Sequence, residues 1–226
     1  MRIVVPRGAE ARAVRRAVPS AIEVLPGAAS AASLPAALRQ AQDDRGPRHP
    51  ELVEGPPENI VAVGLCGALR GPRAGAMVIY AHVVDEKHDT MLDPALVRAL
   101  AAALPGAAIV RACTTDHVVT TVAERTALAA RFDADVVDME GTHLAAALAA
   151  RGVRYAMVRV VSDDATRDLP PIDDAIGPNG NLRPLQLTWA MLRTPVAAVA
   201  FIRDVQSVLR TLGETAKTLA AIEDRT

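Results

Sequence analysis

VVDMEGTHLAAALAARGVRYAMVRVVSDDA, Val136 to Ala165, is the stretch on which the reading of this chain turns. It runs as the end of a buried strand, an acidic pair (Asp138 and Glu140), an alanine-rich helix, and a second apolar strand that closes on Ser162, Asp163 and Asp164. A buried carboxylate is costly unless something pairs with it, so apolar strands that end in carboxylates point to a site. The plainer account is that Asp138 and Asp163 cap helices or turns. The surrounding chain decides between the two.

Half of the 226 residues are hydrophobic but only 2% are aromatic, so the core must be built from Ala, Val and Leu. The length suits one large α/β domain or two small ones. The formal net charge is −1, from 25 basic and 26 acidic residues, and no basic stripe is interleaved with aromatics, so nucleic acid is not an expected partner. Cys66 and Cys113 both lie in apolar runs, which argues against a disulfide framework and for a reducing, cytoplasmic setting. MRIVVPRGAEAR at the N-terminus reads as a short strand rather than a signal peptide. No run approaches the roughly 20 apolar residues of a membrane span.

Outward from the central stretch, short apolar runs alternate with helical patterns. Arg2–Pro6 reads as a strand, Glu10–Val18 as a helix with its acid in the first turn, and Ala21–Leu25 as a second strand. A helix is expected over Leu34–Gln42. The proline-rich segment 43–59, with His49 in it, reads as a mobile surface loop. Ile60–Val63 reads as a strand running into Gly64-Leu65-Cys66-Gly67, where small residues let a ligand approach the backbone amides. Strands are expected at Gly75–Val84 and Ala107–Cys113. Helices are expected at Asp93–Leu104, with Asp93 as N-cap and Pro94 at the first position, and at Ala123–Phe132, with Ala127, Ala130 and Phe132 toward the sheet. Beyond Asp164 a proline- and glycine-rich loop is placed to close over a site. Arg183–Arg193, with Trp189, reads as a helix, and a last helix begins at Pro195 with a stripe of Ala198, Ile202, Val205, Leu209 and Leu212. The whole reads as one domain, 1–226, with a C-terminal helical tail at 183–226. Its fold class is α/β, a three-layer α/β/α sandwich around a mixed, mostly parallel sheet. Ligands of such sheets sit beyond the strand carboxyl ends. Gly64–Gly67, Thr114–His117, Asp138–Glu140 and Ser162–Asp164 all fall at such ends.

The residue types narrow the chemistry. The histidines (His49, His82, His88, His117, His143) have no metal-ligand spacing and neither cysteine has a CxxC partner, so no metal is expected. Ser162 lacks a nucleophile elbow, and nothing near Cys66 in sequence would activate its thiol. What remains is acid chemistry from Glu10, Glu140 and Asp163, with Arg159 four residues before Asp163. A carboxylic acid that donates a proton, beside a carboxylate that stabilises a cationic sugar or activates water, is the scheme for glycosidic cleavage.

At this point the chain resembles a known family. The D-M-E segment, the small-residue helix and the R-x-x-S-D strand end are similar to those of the purine nucleoside phosphorylase/uridine phosphorylase family, which includes the methylthioadenosine/adenosylhomocysteine nucleosidases. VGLCGAL resembles that family's third-strand glycine segment, and TTDHVV stands where its base loop is expected. The GAEAR start and the tail after Asp163 look like the hopanoid-associated phosphorylases, which release adenine from adenosylhopane. The resemblance implies a nucleoside phosphorylase-like fold and the following roles. Asp163 protonates the purine N7, its pKa raised by burial, with Ser162 orienting it. Glu140 accepts the ribose hydroxyls and Met139 packs on the sugar. Glu10 positions or activates the attacking water, and Arg159 holds the nucleophile. Val118 and Val119 wall the base, while Gly64, Cys66 and Gly67 approach base and sugar.

The chain departs from the family pattern at Leu65, where many relatives have Ser or Thr, at Thr115, in place of glycine, and at Val118, in place of a stacking aromatic. These changes leave phosphate or water open as nucleophile. The expected cofactor is none, with phosphate as the one alternative co-substrate. The expected partners are a small-molecule nucleoside, lipid-linked on the hopanoid reading, with a transient membrane contact, and a second copy of the chain in a homodimer. A methylthioadenosine/adenosylhomocysteine nucleosidase, a general purine nucleoside phosphorylase and a non-catalytic nucleoside-binding module are the alternatives.

Overall fold

The computed structural model describes residues 1–25, 27–43, 59–169 and 195–223. In chain order the elements are β1 (Arg2–Pro6), α1 (Ala9–Ala17), β2 (Ile22–Val24), α2 (Ala29–Asp43), β3 (Asn59–Ala68), β4 (Met77–Val84), β5 (Asp89–Met91), α3 (Pro94–Ala103), β6 (Ala108–Thr114), α4 (Val122–Phe132), β7 (Val136–Asp138), α5 (Gly141–Ala149), β8 (Arg154–Asp163) and α6 (Pro195–Glu223). Of the loop expected at 43–59, Asp43 belongs to α2 and Asn59 to β3, while 44–58 lie outside the described residues, as do the expected helix with Trp189 and the rest of 170–194.

The sheet is mixed and mostly parallel, as expected. Parallel ladders join β1 to β2 and β3, β3 to β8, β4 to β6, and β6 to β7. Antiparallel ladders join β3 to β7, β4 to β5 and β4 to β8. Two long strands change neighbours along their length. β3 lies beside β1 at Ile60–Ala62 and beside β7 at Gly67 and Ala68, while β4 lies beside β8 at Met77–Ile79 and beside β5 at His82–Val84. The ladders β3–β8–β4–β6–β7–β3 therefore close on themselves, and β1, β2 and β5 extend the sheet outside that ring. Helices cover both sides. α1 packs on α6, which reaches β3 and β8, whereas α5 packs on β4, β6, β8 and α2.

Burial explains the Val- and Ala-rich strands. All five residues of β1 are buried, and Ala156, Met157, Val158, Val160 and Val161 of β8 have no exposed surface. Strands buried on both faces read as unbroken apolar runs, because each side chain meets either a helix or the inside of the ring.

Several boundaries differ from the sequence reading. α2 starts at Ala29, before the expected Leu34, and carries Pro35 inside it. β3 does not stop at Val63 but runs on through Gly64–Gly67 to Ala68. β5 was not expected: Asp89-Thr90-Met91 has no apolar pattern, and β4 pairs it from outside. On α4 the buried residues are Arg125 and Ala129, while Ala127 and Ala130 are exposed. On α6 the buried seam among the described side chains is Val208, Leu212, Ala216 and Leu219, with Leu209 packed beside it; Leu209 and Leu212 of the expected stripe face the body, and the side chains of Ala198 and Ile202 lie outside the described residues. Among the described residues no helix is long and apolar enough to cross a membrane.

Candidate active site

The carboxyl ends of β3, β7 and β8, the start of α1 and the loop after β6 converge on one pocket of about 270 Å³. It is lined by Glu10, Leu65, Cys66, Gly67, Thr115, His117, Val118, Val119, Val137, Asp138, Met139, Glu140, Ser162, Asp163 and Leu169. A cavity of this size takes a small molecule rather than a polymer. Nearly all the residues singled out from sequence are in its wall. Gly64 and Arg159 lie directly behind it.

Glu10 reaches the pocket because β1 turns sharply into α1 at Gly8, whose φ of 123° is open to glycine and strained for other residues. Its Oε1 accepts a 2.7 Å hydrogen bond from the Leu65 amide. Burial raises the Glu10 pKa, against the lowering pull of Arg159 and the Leu65 N–H. Glu140 stands at the head of α5. Burial first, and the neighbouring Glu10 second, push its pKa up to about 8. The two acids share one buried neighbourhood, and each resists ionisation of the other.

Between them lies Arg159, with no exposed surface. Its Nη2 is 3.7 Å from Glu140 Oε2, its Nε is 3.6 Å from Asp138 Oδ2, and its Cζ stands 5.8 Å from the Tyr80 ring centroid. None of its nitrogens makes a hydrogen bond. Burial works to lower its pKa, but Asp138, Tyr80, Glu140 and Glu10 outweigh that, so it stays charged. A dry guanidinium with unused donors is expensive, which suits a site that supplies an acceptor when occupied. Gly64 makes the room. A Cβ there would sit 2.8 Å from Arg159 Nη1 and 3.1 Å from Glu10 Oε1.

Asp138 has a different task. Its carboxylate accepts from Tyr80 Oη at 3.2 Å, Thr114 Oγ1 at 2.9 Å, and the Gly141 and Glu140 amides at 2.9 and 3.3 Å. It is the satisfied counterion that fixes the start of α5, as the plainer reading of such a residue supposes. Asp164 likewise holds the Ala74 amide at 2.8 Å.

Asp163 sits on the far wall beside an irregularity. The β3–β8 ladder shifts between Cys66 and Gly67, so Cys66 faces Val161, Gly67 faces Asp163, and Ser162 is the extra residue. A bulge of this kind re-aims side chains at a strand end. Ser162 Oγ lies 3.0 Å from the Cys66 carbonyl oxygen and also touches Asp163 Oδ1, so its single proton serves one of the two. Gly67 leaves space for the acid: a Cβ there would lie 3.2 Å from Asp163 Oδ2.

Arg125 of α4 was not found from sequence. Its side chain is 1% exposed, and Nη1 lies 2.5 Å from Asp163 Oδ2. Asp163 is thus a carboxyl 17% exposed and paired with a buried cation. No sequence pattern marks Arg125, which stands in AERTALAARF with nothing to set it apart from Arg131.

Of the remaining chemistry-bearing groups, Cys66 and His117 line the pocket and Cys113 does not. Burial pushes the Cys66 thiol well up and that of Cys113 up to about 12, so both are packing residues. His117, on the pocket rim, lies 2.7 Å from both Asp116 and Glu124, which raise its pKa. Among the described residues no group of three or more His, Cys, Asp or Glu could hold a metal.

The model of the phosphorylase superfamily matches residues 27–193, most of the chain. The chain belongs to the phosphorylase superfamily. As a phosphorylase-superfamily protein it is an enzyme of the nucleoside phosphorylase and nucleosidase class. Solved structures share its fold. The 5′-methylthioadenosine nucleosidase of Arabidopsis thaliana is 17% identical, with 100% of this chain and 98% of that one covered at a TM-score of 0.62. The MTAN of Helicobacter pylori is 13% identical, with 100% of both chains covered at 0.63. The futalosine hydrolase of Helicobacter pylori strain 26695 is 12% identical, with 100% and 99% covered at 0.62. At these identities the likeness is one of fold. No curated protein matches the chain.

Proposed function

We propose that this superfamily member cleaves the N-glycosidic bond of an adenosine-type nucleoside by hydrolysis. The observation that carries the reading is the division of one pocket into two groups: Glu10 and Glu140, backed by the buried Arg159, and Asp163 with Ser162. Asp163 gives its proton to the purine N7. The C1′–N9 bond breaks with its electron pair passing into the base, and the sugar becomes oxocarbenium-like. Glu140 accepts the ribose hydroxyls and its charge stabilises that cation, while Met139 packs on the sugar. Glu10, made more basic by burial, takes a proton from the water whose oxygen attacks C1′. The unused donors of Arg159 orient that water. Val118 and Val119 wall the base, and Gly64, Cys66 and Gly67 keep the floor low.

Water is favoured over phosphate by charge. Among the described residues the pocket wall holds no Lys or Arg, and the one cation behind its sugar side is surrounded by Glu10, Glu140 and Asp138. A phosphate dianion there finds one buried cation, already paired with Asp138.

The finer substrate in this reading is adenosylhopane, acted on during hopanoid synthesis. Its support is the GAEAR start and the tail resemblance, together with the aliphatic lining of Leu65, Val118, Met139 and Leu169, which suits an apolar 5′ substituent. A cytoplasmic homodimer that touches the membrane to collect its substrate belongs to the same reading. The test is adenine release from adenosylhopane, adenosine and methylthioadenosine, each with and without phosphate. Release without phosphate is expected. Release that requires phosphate overturns hydrolysis, and no release from any of the three overturns the function. Asp163→Asn should abolish turnover of a purine nucleoside and lower thermal stability, because the buried Arg125 loses its carboxylate partner.

A further inference from the structure

One buried side chain has more to do than hold helix α4 in place. Arg125 is one of two buried residues on that helix, where an apolar residue would ordinarily serve. Its Nη1 donates to the carbonyl oxygens of Ala68, at the end of β3, and of Asp164, just past β8, at 3.0 and 3.1 Å. Its Nη2 donates at 3.0 Å to the carbonyl oxygen of Val119, in the loop that walls the pocket. The same Nη1 stands 2.5 Å from Asp163 Oδ2. A helix anchor needs only the carbonyls. The carboxylate contact adds a direct link from a buried cation to the proton donor.

We infer that Arg125 is a positioning residue for proton delivery: it fixes the Asp163 carboxyl by one oxygen and holds the base-wall loop at a set distance from it. This rests on the reading of Asp163 as the acid. Both hydrogens of Nη1 go to the Ala68 and Asp164 carbonyls, so the guanidinium holds Oδ2 by charge and not by a hydrogen bond, and Oδ1, which Ser162 touches and can orient, is the oxygen that carries the proton toward the base. The proton passes from that oxygen to N7, and the carboxylate that remains is stabilised where it forms by the Arg125 charge. The forked guanidinium is required because one group must reach three carbonyls and a carboxylate from different elements. A lysine ammonium keeps the charge but not the fork.

The experiment separates this role from simple packing through the leaving group. A purine needs protonation to depart, whereas para-nitrophenolate leaves without it. Arg125→Lys and Arg125→Met are assayed on adenosine and on para-nitrophenyl β-ribofuranoside across pH, with thermal melts of each protein. A positioned general acid contributes about 10²–10⁴-fold, so Arg125→Lys should lower kcat on adenosine by at least ~10-fold. It should lower kcat on the nitrophenyl riboside far less than on adenosine, since the sugar wall and nucleophile are untouched and only the packing of the ring on the base-wall loop changes. The pH profile on adenosine should move while that on the nitrophenyl substrate stays. Arg125→Met should show the same split more strongly, and if it does not fold, Arg125→Lys decides alone. Equal losses on both substrates, or no loss on either, would overturn the positioning role and leave the wider function standing. Folded wild type that cleaves neither substrate overturns the underlying function and the role with it.

Discussion

Replacing Glu140 by glutamine should change how stability responds to pH more than it changes stability itself. In the folded protein the Glu140 pKa is pushed to about 8 from its ordinary 4.5, chiefly by burial and then by Glu10. The sign follows from proton binding. Between those two values the folded state keeps a proton that the unfolded state has lost, so raising the pH favours unfolding. The slope for one proton is about 1.4 kcal/mol per pH unit. From pH 6 to pH 8 the loss should be about 2 kcal/mol, allowing for partial ionisation near the folded pKa. Glutamine of the same shape binds no proton and relieves Glu10 of a like neighbour, so that component of the slope should vanish. His117, whose pKa is raised by Asp116 and Glu124, adds a slope of the same sign above its ordinary 6.5, but it is common to both proteins and cancels in the comparison. Urea unfolding of wild type and Glu140→Gln at pH 6, 7 and 8 measures the difference. The two proteins should diverge with rising pH, the variant gaining on wild type. Parallel lines would falsify the shared-proton account. A variant weaker by a constant amount at every pH would instead mean that Arg159 keeps both carboxylates ionised.

Three further outcomes follow from the same geometry. Gly64→Ala places a methyl group 2.8 Å from Arg159 Nη1, so a stability loss of ~1–3 kcal/mol and a ~10²-fold fall in kcat are expected; a wild-type melt and wild-type adenine release would show that Arg159 does not depend on that space. Tyr80→Phe removes the 3.2 Å donor to the buried Asp138 and should cost ~1–3 kcal/mol in denaturant unfolding, with no change refuting its part in holding that charge. The kcat/KM on adenosine should rise with pH toward about 8 as Glu140 gives up its proton to become the ribose acceptor, and a profile flat from pH 6 to 8.5 would remove Glu140 from that role.

How much could be read beforehand depends on the range of the forces involved. The Asp93-Pro94 start of α3 was legible because the cap is local: the Asp93 carboxylate accepts from the Ala95 and Leu96 amides, two and three residues away. β1 was legible because five apolar-flanked residues buried on both faces leave a continuous run. β5 was not, because Asp89-Thr90-Met91 becomes a strand only where β4 offers a free edge beyond its ladder with β8. The α4 face was misread for a related reason. Periodicity assigns alanines inward, but the space beneath α4 is lined by carbonyl oxygens and a carboxylate, and it takes an arginine. The split between Asp138 and Glu140 was legible in outline, since the D-M-E resemblance implied the sugar-binding role for Glu140 and capping was the plainer account of Asp138. Its cause, four donors converging on Asp138, comes from three separate elements.

From sequence alone came the strand and helix alternation, the acidic strand ends, and the residues Glu10, Glu140, Arg159 and Asp163 as the chemistry of the chain. These depend on composition, period and short motifs, which neighbouring residues specify. Only the tertiary structure decided that Glu10 and Glu140 share one buried space with a dry guanidinium, that a bulge at Ser162 turns Asp163 toward the pocket, and that Arg125 stands behind it. Charge in a folded protein is governed by what surrounds a group in space. The partners of Asp163 and Arg159 come from strands and helices far apart in the chain, so their protonation and orientation exist only once those elements have packed.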